Sequence, residues 1–248
     1  MRIGVKPGQI GMSPSQLITC WQAADDLGFE SVWTFDHLSG NRVCYEPLAL
    51  LAAMATVTSR ARIGCLVLAN GLRSPFALAA QIATIDALSE GRLEVGIGAG
   101  DSFAKADFAA AGIPFPDKEA RLLALRETIT FLQAQINAST SKLAASPTQC
   151  PVPFLVGGRS VGIRQIAADL SIGWNCSCES DEAETFSALS STLPDTQAQV
   201  FVNEDTEIRS VVDAYRTAGA TRLILVLNEP TPNDLRRVAV QALRETGG

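Results

Sequence analysis

Residues 62–98, RIGCLVLANGLRSPFALAAQIATIDALSEGRLEVGIG, read as one strand–helix–strand unit. The run Ile63-Gly64-Cys65-Leu66-Val67-Leu68 is apolar without alternation, as expected of a strand covered on both faces. Ser74-Pro75 then offers an N-cap with proline at the first helical position. Leu78, Ile82 and Ile85 recur on one helical side, and Gly91 lies beyond the end. A second strand-like run, 92–98, follows at once, so the helix is a crossover between parallel strands.

The same unit recurs along the chain. Strands are predicted over 2–6, 31–34, 62–68, 92–98, 153–157, 172–176, 198–202 and 222–227. Ser13-Pro14-Ser15-Gln16 forms a capping box ahead of Leu17, Trp21 and Ala24, and Gly28 stops that helix. Ile208, Val211, Val212 and Tyr215 repeat the pattern before Gly219. Eight strand–helix alternations with short connections predict an α/β fold, a (β/α)8 TIM barrel, as a single domain over residues 1–248. The stretch 136–152 is small, polar and aperiodic, and reads as a surface connection. No repeat at a fixed period and no domain boundary is visible.

Composition narrows the class. Apolar residues make up 47% of the 248 and charged residues 19%, which gives enough core to exclude disorder. The longest apolar stretch, Pro47 to Val57, is too short to span a bilayer. The chain opens with strand-like Arg2-Ile3-Gly4-Val5 where a signal peptide would carry its apolar region, so a soluble cytoplasmic protein without membrane attachment is expected. Net charge is −6 and the basic residues are scattered, which argues against nucleic-acid binding. Cys20, Cys44, Cys65, Cys150, Cys176 and Cys178 include no C-x-x-C, and there is one histidine, so reduced thiols and no metal site are expected. Low charge and the apolar helix over 47–57 suggest an outer face that a second copy could cover, as a homodimer.

In a barrel of this kind reactive groups stand at strand C-termini. The second strand ends in Thr34-Phe35-Asp36-His37, which brings the only histidine to the rim beside a carboxylate. It is either a packed rim residue or the proton carrier of a reaction near neutral pH. Neighbours on an extended segment face opposite sides, so His37 takes the catalytic assignment and Asp36 an orienting or structural one. The fourth strand runs into Gly96-Ile97-Gly98-Ala99-Gly100-Asp101. Those glycines allow either a planar ring to approach the backbone or tight strand packing, and Asp101 is either an acid or a helix-starting residue. After the fifth strand, Gly157-Gly158-Arg159-Ser160 precedes a helix, which makes either an anion site built from backbone N–H groups, a hydroxyl and a guanidinium, or an ordinary turn.

Taken together, Phe29 to Leu38, Leu72-Arg73-Ser74-Pro75 through Asp86 to Gly100, and Pro151 to Asn175 resemble the luciferase-like monooxygenase superfamily. The likeness covers most of 1–131 and 151–176 and continues at Ala218-Gly219-Ala220-Thr221-Arg222. The resemblance implies a (β/α)8 barrel that holds coenzyme F420 or, alternatively, FMN in its mouth. It implies His37 beside the ring and substrate, a non-prolyl cis peptide at Leu66-Val67 behind the ring, and Gly157, Gly158 and Ser160 at the cofactor phosphate. Asp36, Asn70, Gly98, Gly100 and Arg159 complete the implied cofactor set, and Asp101 matches an acidic catalytic position of a deazaflavin-dependent sugar-phosphate dehydrogenase. The chain departs from the pattern at Ile172 and at Ala69-Asn70-Gly71, and it is short after Asn137 and after Trp174, which implies a reduced substrate lid.

These readings predict an F420-dependent oxidoreductase that moves a hydride between the deazaflavin and a small organic substrate. The alternatives are an FMN-dependent monooxygenase, a non-catalytic flavin-binding barrel and a barrel enzyme acting on a phosphorylated metabolite.

Overall fold

A computed structural model describes residues 1–137 and 143–243. Residues 138–142, within the connection expected over 136–152, lie outside those described. The order is β1 (Arg2–Pro7), α1 (Pro14–Leu27), β2 (Ser31–Thr34), α2 (Pro47–Val57), β3 (Arg62–Cys65), β4 (Leu68–Ala69), α3 (Pro75–Leu88) and β5 (Leu93–Gly98). It continues with α4 (Ala104–Ala110), α5 (Lys118–Asn137), β6 (Phe154–Gly157), α6 (Val161–Leu170), β7 (Gly173–Cys178), α7 (Ala183–Ser190), β8 (Thr196–Phe201), α8 (Ile208–Thr217), β9 (Arg222–Leu227) and α9 (Pro232–Ala242). All pairings are parallel, the strand order is β3-β2-β1-β9-β8-β7-β6-β5-β4, and a β3–β5 pairing closes the ring. The predicted (β/α)8 barrel is therefore present. Its third stave is split: β3 and β4 flank a cis peptide between Leu66 and Val67, at the bond the resemblance marked.

Helix ends follow the sequence signals. Ser13 caps α1 with the reciprocal Gln16 bond, and Gly28 ends it in a left-handed conformation (φ 87°). The apolar run 47–57 forms α2, but its expected outward apolar face is not there. Leu48, Leu50, Leu51, Met54 and Ala55 are buried within the chain, because α2 packs against α1, α3 and β3. Strand β8 begins two residues before its predicted start, since the polar Thr196 and Gln197 are buried ladder residues.

Side-chain alternation divides two cores. On β9, Leu223, Leu225 and Leu227 join the layer between strands and helices, whereas Ile224 joins Trp33, Leu66 and Leu155 inside the barrel. Below them Arg222, wholly buried, bonds both oxygens of Glu30 (2.8 Å each) and of Glu94 (2.6 and 2.8 Å), and Arg62 also bonds Glu94. This ionic floor fills the N-terminal end of the barrel.

Burial alone would push the Glu94 carboxyl up, but the bonds from Arg222 and Arg62 outweigh it and hold it below its ordinary 4.5. The resulting stabilisation is fully present above that pH and is lost as the pH falls below it. Glu94→Gln should cost about 3–5 kcal/mol in urea unfolding at pH 7, because it leaves buried guanidinium charge unmatched. The gap to wild type should narrow in acid; equal unfolding midpoints at neutral pH would show that the floor contributes nothing.

Candidate active site

A cavity of about 740 Å³ opens at the C-terminal ends of the strands. Its geometry begins with Gln9, fully buried in the loop after β1. The Gln9 side chain donates from Nε2 to the Phe35 carbonyl (2.9 Å) and accepts the Phe35 N–H (3.2 Å), which fixes the chain as it leaves β2. Two residues on, alternation separates Asp36 from His37. The Asp36 carboxylate turns into the wall, where Arg73 binds it through two nitrogens (2.6 and 3.1 Å) and the Ala69 N–H adds a third bond (2.9 Å). His37 stays half-exposed in the cavity between the rings of Phe35 and Phe103, at centroid distances of 5.4 and 5.8 Å.

The carboxylate beside the imidazole is Asp107 of α4. Its Oδ2 lies 4.0 Å from His37 Nδ1, while its Oδ1 accepts the N–H groups of Leu38 (3.0 Å) and Ser39 (2.6 Å). Asp107 thus holds the loop that carries His37 and places a negative charge on one side of the ring. Asp101 lines the same cavity, and its Oδ1 accepts the N–H groups of Phe103 (2.9 Å) and Ala104 (3.1 Å), so it holds the turn into α4.

The strand-end glycines are used for packing. A Cβ on Gly98 would lie 2.5 Å from the Val67 side chain, one on Gly157 2.8 Å from it, and one on Gly96 2.2 Å from the Cys65 carbonyl oxygen. Val67 therefore fills the notch these residues leave and presents its remaining surface to the cavity, with Leu66 beside it. Gly100 has a φ of 81°, which makes it a turn glycine. Asn70 donates its backbone N–H to the Gly98 carbonyl (3.0 Å) and does not border the cavity among the described residues.

At the end of β6 the donors differ from those expected. The Gly158 N–H is spent on the Asn175 carbonyl (3.0 Å), and the Gly158 carbonyl accepts from the Trp174 indole (2.8 Å). The Ser160 hydroxyl oxygen caps α6 by accepting the Ile163 N–H, and its own proton remains available to donate. The unspent N–H groups at this helix start are those of Val161 and Gly162, which have no partner among the described residues. Arg159 borders the cavity and pairs with Glu182 (2.6 Å).

Three cations on the cavity were not legible as site residues. Lys118 and Arg121, at the start of α5, form no ion pair among the described residues; Arg121 stacks 4.2 Å over Phe115 and donates to the carbonyls of Ala99 and Pro116. Lys6, at the end of β1, is buried and donates to Gln199 Oε1 at 2.5 Å. Burial lowers its ammonium to about 8. A lysine at an inward position of an apolar strand was the available signal for it. Asn175, also on the cavity wall and buried, has an amide nitrogen without a partner.

Comparison with known proteins supplies a family. The model for luciferase-like monooxygenases matches residues 1–190. The F420-dependent glucose-6-phosphate dehydrogenase of Beutenbergia cavernae is 30% identical over 193 residues, which is 71% of this chain and 56% of that protein. The 5,10-methylenetetrahydromethanopterin reductase of Methanopyrus kandleri is 35% identical over 105 residues, 42% of this chain and 28% of that protein. The chain spans about half the length of the curated relatives it matches first. Among solved structures, the coenzyme F420-dependent tetrahydromethanopterin reductase of Methanopyrus kandleri superposes with a TM-score of 0.79 at 17% identity, over 98% of both chains. An F420-dependent secondary alcohol dehydrogenase in complex with an F420-acetone adduct gives 0.78 at 14% identity, over 98% of this chain and 99% of that one. At such identities these two superpositions speak for the barrel alone.

Replacing Asp107 with alanine should free the His37 loop. Hydrogen bonds to a charged acceptor are worth about 1.5–3 kcal/mol, so amide exchange at Leu38 and Ser39 should rise by roughly 10–100-fold, as read by NMR. Unchanged protection of both amides would show that other contacts hold the loop.

Proposed function

This chain belongs to the luciferase-like monooxygenase family, and from that premise we propose that it is an oxidoreductase that uses coenzyme F420 to move a hydride to or from a small organic substrate. One observation carries the reading: the cavity combines apolar walls and a histidine with unmatched cations, in a chain of net charge −6. Its volume of about 740 Å³ suits a drug-sized ligand, for which sites of roughly 300–1,000 Å³ are usual. The local chemistry fits a planar ring with a phosphate-bearing tail. Val67 and Leu66 give the ring a flat apolar wall. The helix start at Val161 and Gly162, the Ser160 hydroxyl, Lys118 and Arg121 offer an anion its donors.

When bound, the deazaflavin supplies the hydride donor or acceptor. The chain does the rest. Val67, held by the notch at Gly98 and Gly157, backs the ring and fixes which face meets the substrate. His37 gives or takes the accompanying proton: its Nδ1 faces Asp107, which leaves Nε2 for exchange. Asp107 keeps the imidazole oriented, and Asp36 works through Arg73 to hold the strand end. Asp101, with one oxygen engaged by the turn, positions Phe103 against His37. The apolar rim at Phe103 and Phe201 excludes water beside the reacting atoms.

Titration with F420 and with FMN, followed by absorbance and fluorescence, tests the cofactor. F420 should bind and FMN should not compete at equal concentration; preference for FMN would reverse the assignment. Arg121→Met should weaken F420 binding by about tenfold, the loss of one charge-assisted contact.

His37→Ala should lower turnover by roughly 10²–10⁴-fold while cofactor affinity changes far less. Near-wild-type turnover at saturating cofactor would remove His37 from proton transfer.

A further inference from the structure

The cavity has two cationic regions on opposite staves. Going round the barrel, β1 and β6 are four staves apart in either direction, so Lys6 stands across the mouth from the Gly157–Ser160 turn. The tail-binding groups, Lys118, Arg121 and the start of α6, belong to the β5 and β6 side. Lys6 serves none of them.

Its own surroundings are spare. It is 5% exposed, forms no ion pair among the described residues, and has Gln199 Oε1 as its hydrogen-bond acceptor. The Phe35 ring lies 5.9 Å away. Of the ionisable groups near it, Cys65 on β3 is kept a neutral thiol because burial pushes it well up, and Asp36 is already matched by Arg73. From β9 the same level of the cavity receives only apolar Val226. On β7 the Asn175 amide nitrogen is buried without an acceptor. A buried ammonium and a buried amide donor, both bordering the cavity, leave one negative charge and one acceptor wanting on this wall.

We propose that Lys6, with Gln199 and Asn175, forms a substrate subsite that takes the carboxylate of a small organic acid. The inference rests on the reading that this cavity is the active site. A single buried ammonium matches a monoanion; a phosphate dianion would bring a larger desolvation cost with no guanidinium to meet it on this wall. Carboxylate geometry also suits the set, because one oxygen meets Lys6 while the second meets an amide N–H. The substrate is then held by its acid group on the β1, β8 and β7 side while His37, at the adjoining end of β2, stands by its reacting carbon.

The chain has four lysines, Lys6, Lys105, Lys118 and Lys142, so 13C labelling of lysine ε-carbons gives a short list of signals. Lys6→Met assigns its signal; if that variant does not fold, Lys105→Arg, Lys118→Arg and Lys142→Arg assign it by elimination. Acetate, titrated into the cofactor-free protein at ionic strength held with chloride, should move the Lys6 signal saturably and raise its midpoint from about 8, because a bound anion favours the charged amine. Acetamide at the same concentrations should not. Acetate affinity in Lys6→Met, read from the Asn175 side-chain amide, should fall by about tenfold or more. An acetate response no greater than that of chloride or acetamide overturns the proposal. So does a Lys6 signal that ignores acetate but shifts with reduced F420 and not with oxidised F420, which would give Lys6 to the cofactor. F420 binding, read by its own fluorescence, tests the underlying reading separately.

Discussion

A guanidinium with no exposure must find its counter-charges inside the protein, and Arg222 finds them on two other parts of the barrel. Four of its five N–H donors meet both oxygens of Glu30, just ahead of β2, and both of Glu94 on β5, while Arg62 on β3 shares Glu94. One cation thus sets four staves at a common level. A slip of one residue on any of them would turn its charged side chain toward the helices, where no partner waits. Trp33 lies above, with the Arg222 guanidinium 5.5 Å from its ring. Gly64 makes room for it, since a Cβ there would lie 2.4 Å from the indole. With floor and first layer filled, the open volume is forced to the C-terminal ends of the strands.

The layer above is lopsided, and the lopsidedness makes a site of the space. On β5 and β6, Gly98 and Gly157 present no side chains, and Val67 seals their notch into an apolar surface. On β7, β8 and β1 the inward residues are Asn175, Gln199 and Lys6. On the proposed reading, a flat ring and a polar substrate therefore meet different walls. Histidine enters from β2, between Phe35 and Phe103, where it can reach what lies between them.

The fold was readable because its signals are local. Ser13-Pro14-Ser15-Gln16, Gly28 and the apolar runs at 62–68 and 222–227 act within a few residues, and tertiary structure had no reason to override them. Site elements tied to strand ends were readable for the same reason, and the opposed faces of Asp36 and His37 follow from strand geometry alone. What escaped depends on long-range contact. Asp107 sits on a seven-residue helix with no distinctive pattern, and its tie to His37 crosses about 70 positions of sequence. The Gly158 N–H looked free for an anion until β7 was seen to claim it. Glycines that signal close approach do not say what approaches, and here it was Val67, brought in by a break in the third stave.

Charge matching sorts the cations of the barrel into two sets. Arg222 and Arg62 at the floor, and Arg73 at the edge of the wall, each have a carboxylate within bonding distance. Lys6, Lys118 and Arg121 have none among the described residues, and all three border the cavity. Removing a charge from water is costly unless a partner meets it, so a fold that satisfies its structural cations and leaves these three unmet has left stabilisation available to a ligand. An anion that enters recovers it. For exposed Lys118 the gain is modest, because water already screens the charge; for buried Lys6 it is larger, because the lowered pKa records how poorly the ammonium is solvated. On the proposed reading, selectivity for the acid group comes from the deep cation, whereas the rim cations mainly draw anionic ligands toward the mouth of an otherwise acidic protein.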